Sequence, residues 1–162
     1  MRIFALIALL LATPALAQGP KQEPVGCDKF KWPIDRERAL LVKATPVESG
    51  ATMSQPAANV KLAADTARLP QPPTRQSKAN TFGGYINAPA PPKAGVYRIT
   101  LSKGGWIDVF QSGKEVKSSA FTGATGCDGI RKSVKFDLAA SPYVIEITGV
   151  ATDTVSVAIT AD

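Results

Sequence analysis

Gly95-Val-Tyr-Arg-Ile-Thr-Leu101, then Ser-Lys-Gly-Gly, Trp106-Ile-Asp-Val-Phe-Gln111, Ser112-Gly113 and Lys114-Glu-Val-Lys117 is the stretch that decides the fold. Tyr97, Ile99 and Leu101 alternate with Arg98 and Thr100, a period of two that gives a strand one apolar face. Gly104-Gly105 marks a turn, and Ser112-Gly113-Lys114 reads as a hairpin turn into a third short strand around Glu115-Val-Lys117. The middle strand is apolar on both sides: Trp106 and Phe110 share one parity, Ile107 and Val109 the other. Such a strand is expected to be covered on both faces.

The same period recurs downstream. Val134, Phe136 and Leu138 alternate with Ser133, Lys135 and Asp137; Tyr143, Ile145 and Ile147 with Val144, Glu146 and Thr148; Val155, Val157 and Ile159 with Ser156, Ala158 and Thr160. Upstream, Thr81 to Ala88 reads as another strand, ended by Pro89, Pro91 and Pro92. Six or more short strands with no long helix between them predict an all-β fold, an antiparallel, jelly-roll-like β-sandwich. Before them, Pro33 and an N-cap at Asp35 introduce a short helix with Glu37 in its first turn and Leu40 and Leu41 on its apolar side. Phe30 and Trp32 are expected to plug onto the domain. Residues 44–80 read as loop-rich, with a weak alternating run at Asn59-Val-Lys-Leu-Ala63 and an extended connection preset by Pro70, Pro72 and Pro73.

The chain opens with Met1-Arg2, an apolar run from Ile3 to Ala12, and Ala15-Leu16-Ala17 before Gln18. This is the pattern of a signal peptide, residues 1–17, cut after Ala17. The apolar run is too short to span a bilayer. A flexible mature N-terminus, residues 18–26, and a single domain, residues 27–162, follow. The product is expected in the periplasm or secreted. There, Cys27 and Cys127, the only two cysteines, are expected to pair. Closing a loop of about 100 residues removes chain entropy worth roughly 4–5 kcal/mol.

Nineteen basic against thirteen acidic residues give a net charge of +6, from which Arg2 leaves with the leader. The charges are spread along the chain, with none of the clustering or folds that signal nucleic-acid binding. The partners this background allows are an anionic envelope polymer, a glycan or another periplasmic protein.

The 162 residues contain no histidine. That excludes Ser-His-Asp and Cys-His nucleophile systems, the usual catalytic zinc sites and His-ligated haem. No serine is followed by lysine at the third position, and no Walker-type or dinucleotide loop occurs; no cofactor and no metal is expected. Two acids could support glycoside hydrolysis, Asp108 with Asp128, Asp137 or Glu146. The loop Gly123-Ala-Thr-Gly-Cys-Asp-Gly129 offers calcium one carboxylate, Asp128. For ligand binding the candidates are Lys103, Trp106 and Asp108: an indole beside a Gly-Gly turn stacks a sugar ring while Lys103 and Asp108 hydrogen-bond it. Against this, the parity of Trp106 with Phe110 places it in the core, and a buried Asp108 then needs Arg131 or Lys132 as partner. The function expected is a non-catalytic binding or envelope-associated structural role; a carboxylate-dependent glycan hydrolase and an inhibitor or accessory subunit of a secreted enzyme are the alternatives.

The stretch from Ala94 to Thr160, with Gly95-Val-Tyr-Arg-Ile-Thr-Leu, Trp106-Ile-Asp-Val-Phe and Ser141-Pro-Tyr-Val-Ile-Glu-Ile, resembles the jelly-roll modules of secreted bacterial enzymes, including the pre-peptidase C-terminal type. Those modules accompany a catalytic domain, and none is expected within these 162 residues. From Cys27-Asp-Lys-Phe-Lys-Trp-Pro-Ile-Asp-Arg to Gly126-Cys-Asp-Gly-Ile-Arg-Lys-Ser-Val-Lys-Phe, the chain is similar to a group of small exported alphaproteobacterial proteins, some of which bear the name homogentisate 1,2-dioxygenase. That activity would imply a two-His-one-carboxylate iron site, and a chain without histidine lacks its ligands.

Overall fold

A computed structural model describes residues 22–64 and 68–162; residues 1–17, expected to be a leader peptide, and Gln18 to Lys21 lie outside the described residues. A 3₁₀ turn, Cys27–Lys29, precedes one helix, α1 (Asp35–Val42). Ten strands follow: β1 (Thr45–Glu48), β2 (Ala57–Lys61), β3 (Phe82–Ala88), β4 (Gly95–Leu101), β5 (Trp106–Gln111), β6 (Lys114–Val116), β7 (Ser118–Gly123), β8 (Lys132–Leu138), β9 (Tyr143–Val150) and β10 (Thr154–Ala161). They form two sheets, β1-β2-β10-β4-β8-β7 and β3-β9-β5-β6. All pairings are antiparallel except β1 with β2. The expected antiparallel sandwich with a short N-terminal helix is the fold observed.

The period-two alternation builds the core. Ile99, Leu101, Val134, Phe136, Val155 and Val157 of the larger sheet meet Ile86, Ile107, Val109, Ile145 and Ile147 of the smaller. Nearly all are fully buried, and each large aliphatic side chain so buried is worth roughly 1.5–3 kcal/mol in transfer terms. A second, smaller apolar cluster, with Ile34, Leu41, Cys127, Ile130 and Ala158, covers the outer face of the larger sheet, and Phe30 and Trp32 pack against it.

The disulfide between Cys27 and Cys127 lies in that cluster and ties the N-terminal segment to the β7–β8 loop. Helix α1 is held by Glu37, which is buried: Thr160 Oγ1 donates to its Oε1 at 2.6 Å and the Arg98 guanidinium lies at 3.5 Å. Arg98 in turn donates to Asp162 at 2.6 Å and to the Pro33 carbonyl at 3.1 Å.

Several local readings need correction. Asp35 is the first residue of α1 and not its N-cap; the capping position is Ile34, with no side-chain cap. Residues 44–80 contain two strands, and the one expected at 59–63 runs from Ala57 to Lys61. Strand β1 was missed because it is an edge strand, nearly all exposed, with Pro46 inside it, so it carries no apolar alternation. Strand β7 was missed for a related reason: its one large apolar residue, Phe121, points to solvent while Thr122 is buried. Where a flexible terminus was expected, Thr125 N–H donates to the Pro24 carbonyl and Gly26 N–H to the Thr125 carbonyl, both at 2.8 Å.

Candidate functional site

Strand β6 has only three residues, and its ladder covers Val109 to Gln111 of β5. The first half of β5, Trp106 to Asp108, therefore has no strand beside it on that edge. The chain then crosses from the smaller to the larger sheet through the single residue Lys117, between β6 and β7. The gap so produced is a cleft of about 990 Å³, at the upper end of the size of small-ligand sites. Its walls are the start of β5, the β6–β7 corner, Arg131 to Val134 around the start of β8, and a strap of residues 68–80 that contributes Thr74, Arg75 and Lys78.

Trp106 stands in this cleft, 41% exposed. Its expected place in the core is thus overturned. Parity with Phe110 was read correctly, but that shared face is the outer face of the smaller sheet, since Ile107 and Val109 take the inner one. Gly149, at φ +70°, lies against the indole; a Cβ there would sit 3.2 Å from its Cδ1. Phe110 is covered and Trp106, at the strand end, is not.

Two cations rest on the one indole: the Arg75 guanidinium 4.1 Å and the Lys132 ammonium 4.4 Å from the ring centre. Both distances are well inside cation–π range. Lys132 follows the inward parity of Val134 and Phe136, and at the sheet rim it crosses the gap to donate to the Gly105 carbonyl at 3.1 Å. Burial, and the neighbouring charges of Arg75 and Arg131, bring its pKa down to about 8.

Asp108 does line the cleft but makes no direct ion pair or hydrogen bond with either expected partner, although its charge acts on nearby Lys132. Its carboxylate accepts from the Thr74 hydroxyl at 2.7 Å and the Thr74 N–H at 3.4 Å. Arg131 pairs with Glu23 instead. Across the β5–β9 ladder Asp108 faces Glu146, whose Oε1 accepts the Gln71 N–H at 2.8 Å. The two acids thus hold the strap from one sheet face. Burial, opposed by the Gln71 bond and aided by the charge of Asp108, raises the Glu146 pKa. Of the acid pairs weighed from the sequence, only Asp108 with Glu146 is brought together. Glu146 has no exposed surface, so a substrate reaches it only if the strap lifts. Asp128 and Asp137 are exposed elsewhere, and among the described residues no three His, Cys, Asp or Glu side chains converge.

Lys103 points away, donating to the Thr152 hydroxyl at 2.9 Å. The structure therefore joins Trp106 and Asp108 with Arg75 and Lys132, which sequence reasoning did not select as ligand contacts. Arg75 sits in a Pro-rich segment without periodicity, and nothing in the sequence places it against Trp106. Lys132 had a signal, the alternation Lys132, Val134, Phe136, Leu138 on one strand face.

No family model, curated protein or solved structure matches this chain.

Proposed function

We propose that this is a non-catalytic, exported binding protein whose ligand site is the cleft around Trp106, and that the ligand is a saccharide of the cell envelope. One observation carries this reading: a tryptophan at the rim of the two-sheet core is left 41% exposed in a concave site, its ring contacted by the side chains of Arg75 and Lys132 and not buried among apolar neighbours. Exposed indoles in clefts supply a flat apolar surface with a polar edge, which suits the faces of sugar rings. Export is supported by the leader pattern of residues 1–17 and by the Cys27–Cys127 disulfide, which persists outside the reducing cytoplasm.

Screening the purified protein against immobilised envelope saccharides tests the reading. Retention that is lost in Trp106→Ala, with the saccharide recovered uncut by mass spectrometry, is the result expected. Cleavage that disappears in Asp108→Asn or Glu146→Gln would establish a hydrolase instead.

A further inference from the structure

We propose that the cleft selects an acidic saccharide, seating its anionic group between Lys132 and Arg75 while the sugar lies along the open part of the Trp106 indole. The inference rests on the binding reading above and adds the charge of the ligand. Its basis is the charge accounting of the cleft. Five cations line it, Arg75, Lys78, Lys117, Arg131 and Lys132, against the acids Glu23, Asp108 and Glu115. Glu23 is paired with Arg131 and Glu115 with Lys117, whereas Asp108, held by the uncharged Thr74, keeps its charge, so the cations of the cleft outnumber its acids by two.

Among the described residues Arg75, Lys78 and Lys132 have no ion-pair partner. Two of these three share one indole, within 4.1 and 4.4 Å of its centre. The ring's quadrupole attracts each of them, but it carries no net charge and cannot cancel two. Burial first, and then the charges of Arg75 and Arg131, bring the pKa of Lys132 down to about 8 against the opposing pull of Asp108 and Glu23. An oxyanion placed there would relieve that repulsion and accept charge-assisted hydrogen bonds from both side chains. A neutral sugar would leave it in place.

Lys132 also gives the proposal a signature that a general basic surface lacks. An anion bound beside it restores its proton, so binding near pH 8.5 should take up protons from the buffer. Affinity should fall about tenfold between pH 7 and pH 9, as a single lysine titrating near 8 loses its charge.

The test is calorimetric titration of the disulfide-intact protein with oligogalacturonate, with its methyl ester as neutral counterpart, and with glucose 6-phosphate and inorganic phosphate as separate arms. Oligogalacturonate is expected to bind at least tenfold more tightly than the ester, with proton uptake at pH 8.5 detected from the buffer dependence of the heat. Lys132→Met should cost roughly 10–100-fold, the scale of a charge-assisted hydrogen bond, and should abolish the proton uptake. Arg75→Gln, on the strap and away from the core, gives a second reading should Lys132→Met disturb the fold. Tight binding of glucose 6-phosphate with the same Lys132 dependence would support the proposal with phosphate as the anion. Equal binding of acid and ester, with both lost in Trp106→Ala, would overturn the charge selection and leave the binding reading standing. Inorganic phosphate binding alone, with no saccharide arm responding, would overturn both, as would acid binding that neither Lys132→Met nor Trp106→Ala affects.

Discussion

Glu146 is the residue whose environment is most at odds with its chemistry: a carboxyl group with no exposed surface, opposite a second acid, with Oε2 unpartnered. Its folded-state pKa is raised, so the folded protein holds a proton that the unfolded chain releases more readily. Its contribution to stability is accordingly present below the unfolded pKa and lost as pH rises through the folded one. Glu146→Gln keeps the carbonyl that accepts the Gln71 N–H and removes the charge. The substitution is expected to match the parent near pH 4 and to melt higher than it at pH 7 to 8. Thermal melts of both proteins across that range check this. A lower midpoint for the variant at pH 8 would contradict the assignment. The sequence showed Glu146 only as the polar alternate of a strand, because periodicity reports which face a residue occupies and not whether a distant segment covers that face. For the same reason Lys103 looked as good a ligand contact as Trp106. Its side chain is spent on Thr152, and Lys103→Ala should leave saccharide affinity within about twofold of the parent, as surface changes away from a site do.

The strap of residues 68–80 is the element on which the cleft depends, since it carries Arg75 and is fastened by Gln71 to Glu146 and by Thr74 to Asp108. Thr74→Val removes the 2.7 Å hydroxyl bond while keeping the backbone, at a cost of roughly 1–3 kcal/mol for a carboxylate left short of a donor. Amide exchange at Gln71 and Thr74 should then speed up while the β9 core amides keep their protection. Equal acceleration in β9 would mean that the strap and the sheet open as one unit. The N-terminal segment behaves differently, being covalently tied. Thiol titration of the unfolded, unreduced protein should find no free cysteine, and replacing both cysteines by serine should cost roughly 3–5 kcal/mol in denaturant melts. Two free thiols would contradict the bond. Cysteine count and the expectation of export made this tie legible in the sequence, whereas the strap was not: prolines told of extended backbone but not of the two acids it would settle on.

At the scale of the whole molecule, the two-sheet architecture was legible because seven of the strands show apolar alternation over part or all of their length, and that alternation is what a two-layer core requires. The two edge strands of the larger sheet, β1 and β7, lack it, one face of each being unclaimed by the core. The cleft itself was not legible, since it arises from a missing length of β6 and from side chains belonging to three separate stretches. Composition carries one more consequence. With no histidine and both cysteines bonded, tag-free protein should carry no stoichiometric iron, copper or zinc by elemental analysis. Iron near one atom per chain, with oxygen consumed on homogentisate, would contradict this. The central claim, that the protein binds its ligand at Trp106, is tested most directly by the two indole N–H signals of the ¹⁵N-labelled protein, which contains only Trp32 and Trp106. Adding oligogalacturonate should move the Trp106 signal progressively and leave Trp32, which donates to Ser133 on the outer face of the larger sheet, where it was. A stationary Trp106 signal at saturating saccharide, or movement of Trp32 alone, would contradict the account.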